Sequence, residues 1–314
     1  MAVGKCAADG SGAAVGEGMA LYRQFTTQEE IDLEYRPELT AADPLAFERI
    51  VAWRRERSEA ARRDLTLVAG LRYGPTRTET LDLYPASEPN APILLFLHGG
   101  YWSNRALFKE LYGWVAAGFV PAGVTTAVID YGCCPDVTID EITRQCRAAV
   151  AWLHANGSGF GADPGRIYVA GNSAGGHLAA MLAVTDWVGL YGLPKRTVAG
   201  ACPISGLFDL EPFPYSWLQP KLQLTAAEVR RNSPILRVPE DGPSLLVTWG
   251  ALESCEFHRQ STDFVAAWRS AGNTAETLVQ PGRDHFDANV GLGEPESMLF
   301  HRVREHMRAC FAGC

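Results

Sequence analysis

Apolar residues recur along most of the chain in two periods. Residues 65–73 and 78–84 carry Leu65, Leu67, Leu81 and Leu83 at alternate positions, as expected for two strands, and Gly74-Pro75 marks a turn between them. Ile93-Leu94-Leu95-Phe96-Leu97 is a continuous apolar run, the mark of a strand covered on both faces of a parallel sheet. Leu107, Leu111, Trp114 and Val115 then fall at helical spacing, predicting a helix over 105–117 that stops at Gly118. The alternation continues with a strand at 125–130. A Thr138-x-x-Glu141 capping box opens a helix carrying Ile139, Ile142, Cys146, Ala149 and Leu153 on one face and ending by Gly157. Strands at 166–170, 198–204, 244–249 and 277–280 and helices at 174–185 and 257–271 complete the pattern. Such alternation predicts βαβ units: an α/β fold with a mostly parallel central sheet and helices on both faces. Residues 207–239, rich in Pro and aromatics, read as an insertion over the sheet edge.

Before the first strand the chain is different. Residues 1–18 are rich in Gly and Ala and predict a flexible tail. Residues 19–64 are charged and helix-leaning, with Phe47, Ile50, Val51 and Trp53 on an apolar face, and predict an N-terminal helical cap segment. The catalytic domain is expected over 65–314.

Composition narrows the class. Of 314 residues 47% are hydrophobic and 20% charged, which excludes a disordered chain. With 28 Lys and Arg against 36 Asp and Glu, net −8, the chain lacks the basic character of a nucleic-acid binder. No apolar run approaches the ~18–20 residues that span a bilayer, so no membrane partner is expected. The start of the chain lacks the apolar stretch of a secretory signal, which leads us to expect a cytoplasmic protein. The eight cysteines show no zinc-type spacing, and Cys133 and Cys134 are adjacent. Free thiols and no structural metal are expected.

The strongest chemical signal is Gly171-Asn172-Ser173-Ala174-Gly175, which follows a predicted strand and opens a predicted helix. In that context G-x-S-x-G is a nucleophile elbow, a strained turn that projects the serine hydroxyl above the sheet. An anion-binding or merely packed helix N-terminus is the alternative. A second signal, His98-Gly99-Gly100-Tyr101-Trp102, follows the buried strand at 93–97. Backbone N–H groups turned inward there could hold the oxyanion that acyl transfer creates. Gly100 and Tyr101, with Gly99 as a further choice, and Ala174 after the nucleophile are the candidate donors.

A serine nucleophile needs a base and the base a carboxylate, in the chain order Ser, acid, His for this elbow type. Of seven histidines, His285 lies in a loop just past the last predicted strand. His258, His301 and His306 fall on helices and read as surface residues, His154 closes a helix, His177 sits one turn into the elbow helix, and His98 precedes the oxyanion loop. Glu253, immediately past the strand at 244–249, is the candidate acid. Glu256 is a rival, and Asp284 and Asp287 flank the histidine too closely to reach its far nitrogen. Cys202 and Ser205 read as structural, and Asp209 as ordering the loop after its strand.

His-Gly-Gly-Tyr-Trp, Gly-Asn-Ser-Ala-Gly-Gly-His-Leu and Glu-Ser-x-Glu-Phe-x-Arg-Gln-Ser together resemble the arylformamidase (kynurenine formamidase-like) branch of the α/β-hydrolases, over roughly residues 65–310. The resemblance implies an α/β-hydrolase fold and a cofactor-free, metal-free serine hydrolase that removes formyl from N-formylkynurenine. Related members cleave other small esters or amides. By position it makes Ser173 the nucleophile, Glu253 the acid and His285 the base, with Glu in place of the commoner Asp. Tyr101, Trp102 and Trp217 are candidate substrate contacts for an aromatic amide or ester, ahead of Phe213, Tyr215 and Phe286, although all could be core. A homodimer is implied by the resemblance alone. A promiscuous carboxylesterase, an acyltransferase and a non-catalytic scaffold on the same fold remain alternatives.

Overall fold

The computed structural model describes residues 20–312; the tail expected over 1–18 lies outside them. Eight strands form one sheet: β1 (Val68–Arg72), β2 (Thr80–Tyr84), β3 (Ala91–Leu97), β4 (Thr125–Ile129), β5 (Ala162–Asn172), β6 (Val198–Ile204), β7 (Ser244–Gly250) and β8 (Ala275–Gln280). Their order is β1-β2-β4-β3-β5-β6-β7-β8. β2 runs antiparallel to β1 and β4, and every other pairing is parallel. The sheet is mostly parallel, as the alternation of strands and helices predicts.

The helices are α1 (Gln28–Tyr35), α2 (Pro37–Thr40), α3 (Ala46–Asp64), α4 (Trp114–Phe119), α5 (Ile139–Asn156), α6 (Ala174–Ala183), α7 (Trp187–Tyr191), α8 (Gln219–Leu222), α9 (Ala226–Asn232), α10 (Cys255–Ser270) and α11 (Met298–Ala312). The continuous apolar run of β3 is explained by cover on both faces. Ile93, Leu95 and Leu97 join one core with Ile142 and Val150 of α5, Leu178 of α6 and Phe264 of α10. Leu94 and Phe96 join a second core with Trp114 and Phe119 of α4 and Phe300 and Val303 of α11. No helix among the described residues is long and apolar enough to cross a membrane.

Two expectations are corrected. The segment predicted as one helix over 105–117 is instead a loop with a 3-10 turn at Lys109–Leu111, followed by the short α4. Asp130, at the end of β4, captures the Lys109 backbone N–H at 2.7 Å and its Nζ at 3.1 Å, and Asn104 Oδ1 takes the Ala106 N–H at 3.0 Å. These tertiary bonds outcompete a helix of only modest intrinsic preference. Cys133, Cys134, Cys146 and Cys202 are free thiols, but Cys255 is disulfide-bonded, so the expectation of free thiols throughout fails at that position.

The N-terminal helices are tied to the loops at the carboxyl ends of the strands. The Ser254 hydroxyl donates to Glu34 O at 2.5 Å, and the Glu256 N–H to Glu34 Oε2 at 3.0 Å. Tyr35 donates its hydroxyl to Glu256 Oε2 at 2.6 Å, and the Trp217 N–H reaches Asp32 Oδ1 at 3.0 Å. Helix α1 therefore contacts the loop after β7 and the insertion at 207–239.

Candidate active site

At the β5–α6 junction Ser173 has φ 59° and ψ −121°, a strained conformation for a residue with a side chain. The turn is closed by the Ser173 N–H donating to Ile204 O at 2.8 Å and the His177 N–H to Ser173 O at 3.0 Å. Glycine is required around it by space. A Cβ on Gly171 would come within 2.3 Å of Gly175 O, and one on Gly175 within 2.0 Å of Leu97 O. The sequence thus forces β3, β5 and α6 into a contact that leaves the serine hydroxyl pointing away from the sheet.

Two further loops meet that hydroxyl. His285 Nε2 lies 2.9 Å from Ser173 Oγ, and His285 Nδ1 lies 2.8 Å from Glu253 Oε2. With Glu253 ionised, Nδ1 carries the proton and donates to the carboxylate, leaving Nε2 to accept from the serine. The imidazole packs on Phe257 with ring centroids 4.3 Å apart. The rival carboxylates are otherwise engaged. Glu256 receives Tyr35 and both Arg259 Nε and Nη2. Asp284 accepts the Phe286 and Asp287 N–H groups in a tight turn, and burial raises its carboxyl above the usual range.

The second oxygen of Glu253 reveals a residue that sequence reading set aside. Ser205, read as structural, sits just past β6 with φ 49° and donates its hydroxyl to Glu253 Oε1 at 2.6 Å; the Gly250 N–H donates to the same atom, also at 2.6 Å. With one oxygen held by these two donors, the other is fixed toward His285. We expect Ser205→Ala to remove about 1–2 kcal/mol of this support and lower kcat roughly 5- to 30-fold with KM little changed. Steady-state kinetics checks it; an unaltered kcat would show that Gly250 suffices.

The His98-Gly-Gly-Tyr-Trp loop approaches from the other side. Gly99 is pressed against the elbow, where a Cβ would lie 2.8 Å from Asn172 O and 3.1 Å from Ser173 Cβ. Gly100, Tyr101 and Trp102 have φ of 117°, 48° and 54°, so three successive peptides turn through left-handed space. Gly100 O accepts the Ser103 and Asn104 N–H groups at 3.0 and 2.9 Å, while the Gly100 and Tyr101 N–H groups donate to no acceptor among the described residues. Ala174, at the first position of α6, lies beside Ser173 with its N–H in the free first turn.

Of the three aromatics singled out as substrate contacts, Tyr101 and Trp217 line the cavity in front of Ser173 and His285, about 890 Å³ in volume. Their rings meet edge to face at 5.3 Å, and the Tyr101 hydroxyl is bonded to Tyr35 O. Trp102 is a correction: it is wholly buried and does not line the cavity. Its indole N–H donates to His177 Nδ1 at 3.1 Å, and His177 Nε2–H in turn donates to Asn232 O at 2.7 Å. Burial keeps His177 neutral, lowering its pKa to about 4. Trp102 therefore anchors the oxyanion loop to the elbow helix, and His177 acts as a strut between that loop and the insertion. Phe213 is likewise core, Tyr215 is largely exposed, and Phe286 lines the cavity.

Comparison with known proteins identifies relatives over most of the chain. Residues 81–267 match the BD-FAE family. A kynurenine formamidase of Danio rerio is 30% identical over 289 residues, covering 87% of this chain and 94% of that protein. Esterase LipC of Mycobacterium tuberculosis is 27% identical, covering 76% of this chain and 66% of that protein. Among solved structures, a protein described as a thioesterase from Silicibacter sp. superposes with TM-score 0.74 and 26% identity, over 87% of this chain and 98% of that one. Esterase B of Lactobacillus rhamnosis superposes with TM-score 0.64 at 19% identity, over 84% and 95% of the two chains, a likeness of fold. The chain belongs to the kynurenine formamidase (arylformamidase) family of α/β-hydrolases and is a hydrolase of the formamidase and esterase kind.

Proposed function

We propose that the chain is a serine hydrolase that removes the formyl group from N-formyl-L-kynurenine or a kindred aryl formamide through an acyl-enzyme. The hydrogen-bonded line from Glu253 through His285 to Ser173, opening onto a cavity walled by Tyr101, Trp217 and Phe286, is the observation that carries the reading. His285 Nε2 takes the Ser173 proton as Oγ attacks the formyl carbon, and Glu253 stabilises the imidazolium that forms. The negative charge on the carbonyl oxygen is received by the N–H groups of Gly100, Tyr101 and Ala174. Collapse returns the proton through His285 to the leaving amine. Water, deprotonated by the same histidine, then releases formate and frees Ser173.

A carboxylesterase is the second reading, supported by the esterase relatives; it uses the same residues on a different acyl substrate. The two are separated by kcat/KM for N-formyl-L-kynurenine and p-nitrophenyl acetate measured side by side. The formamidase reading expects a preference of at least 100-fold for the formamide, about 2.7 kcal/mol of differential transition-state binding. Ester turnover without formamide turnover would replace it with the esterase reading.

A further inference from the structure

Helix α3 has the composition of a solvated surface helix, yet Arg54 in its middle is only 4% exposed and lines the same cavity as Ser173 and His285. A buried guanidinium ordinarily has a carboxylate beside it, because removing the charge from water is offset only by an opposite charge. No carboxylate lies within ion-pair distance of Arg54 among the described residues. Its acceptors are all neutral: Phe286 O at 3.0 Å, Asn289 Oδ1 at 3.2 Å and the Tyr112 hydroxyl at 3.5 Å. The Tyr112 ring lies under the guanidinium, 5.3 Å from its carbon, and Nε is buried without a partner among the described residues. A guanidinium offers five N–H donors, so part of its capacity is unused. The other charges lining the cavity do not answer it. Glu38 and Asp43 are paired with Arg36 and Arg49 at 2.9 and 3.0 Å, Arg105 is paired with Asp136 at 2.6 Å, and Glu48 and Lys221 are exposed.

We propose that Arg54 is the specificity-determining residue of this site, binding a carboxylate on the leaving-group half of the substrate. The proposal rests on the formamidase reading in one respect: a formyl group has no atom to carry the charge, so the carboxylate belongs to the amine half. The planar fork of Arg54 is suited to a carboxylate. Its bond to Phe286 O, one residue past His285, places that recognition next to the proposed base. The site thereby selects anionic aryl formamides or esters over neutral ones of the same shape.

Calorimetric titration of the full chain with L-kynurenine and with its α-carboxamide tests this without depending on turnover. Wild type is expected to bind the carboxylate at least tenfold more tightly, and Arg54→Met to bring the two affinities within about twofold. Arg54→Lys, which keeps the charge but loses the fork, is expected to fall between. Equal affinities in wild type, a preference that survives Arg54→Met, or no binding of either compound would overturn the assignment. The wild-type comparison decides the matter even if the variant fails to fold. A residue that merely tied the His285 loop to α3 would affect both ligands alike. Failure of the hydrolase reading shows separately, as absence of p-nitrophenyl acetate turnover and of fluorophosphonate labelling at Ser173.

Discussion

Replacing Ser173 with alanine is expected to lower kcat/KM for p-nitrophenyl acetate, and for any formamide the wild type accepts, by roughly 10⁴-fold or more. Only the oxyanion donors and substrate binding would remain, and these act on a water attack that has no positioned nucleophile. His285→Ala is expected to be comparably damaging, because an unactivated serine is a poor nucleophile at neutral pH. The double variant should be little worse than either single one, since the two side chains work as a unit joined at 2.9 Å. Fluorophosphonate labelling should vanish in Ser173→Ala. The thermal midpoint should move by no more than a few degrees, as the hydroxyl bonds only to His285 among the described residues and alanine meets the same φ of 59°. Losses of 10-fold or less in both single variants would place the reaction on other groups.

The elbow could be read from sequence because its constraints are local. Gly171 and Gly175 are demanded by atoms of the same turn and of the adjoining strand β3, so their spacing around Ser173 carries the geometry. His285 and Glu253 could be placed by their positions past β8 and β7, since loops there emerge at one edge of a parallel sheet. Ser205 escaped functional notice because its partner is 48 residues away and only the sheet order brings β6 beside β7. Trp102 was misplaced for a related reason: the motif says that the loop turns, but not which aromatic faces the cavity. Two successive residues in left-handed space send Tyr101 outward and Trp102 into the core against His177 and Phe213. Arg54 was hidden by composition. In a helix as charged as α3, periodicity gives no sign that one arginine is enclosed by Tyr112, Phe286 and Asn289 from distant segments.

Acidification from pH 7 to pH 4 is expected to strip several kcal/mol of folding stability through buried histidines outside the proposed catalytic line, His177 and His306 with the largest shifts beside His98. His177 is fully enclosed, with Trp102 donating to one nitrogen and Asn232 O accepting from the other. His306, on α11 and buried where a surface place was expected, lies between the Tyr168 hydroxyl at 2.7 Å and the Ser244 hydroxyl at 2.9 Å. Burial lowers each pKa from 6.5 to about 4, and the charge of Arg302 pushes His306 the same way. The unfolded chain therefore takes up protons below pH 6.5 that the folded chain refuses until about pH 4. Stability is fully present above 6.5, falls through that window and levels off below it. Each group contributes about 3 kcal/mol over the whole window, against a typical total of about 5–15 kcal/mol. Urea unfolding followed at pH 7, 6, 5 and 4 reads this as a falling midpoint. His306→Gln, which retains a side chain able to bond both hydroxyls, should make the slope between pH 6 and 4.5 shallower, with His177 and the buried His98, whose pKa burial also lowers, supplying the remainder. Carboxylates such as Glu141, held down by its bond to Arg144, add to the loss only below about pH 5, where the unfolded chain begins to protonate them. A midpoint flat from pH 6.5 to 5 would mean that one or both imidazoles find room to be protonated in the fold, and the strut from Trp102 to Asn232 would then be softer than its hydrogen bonds imply.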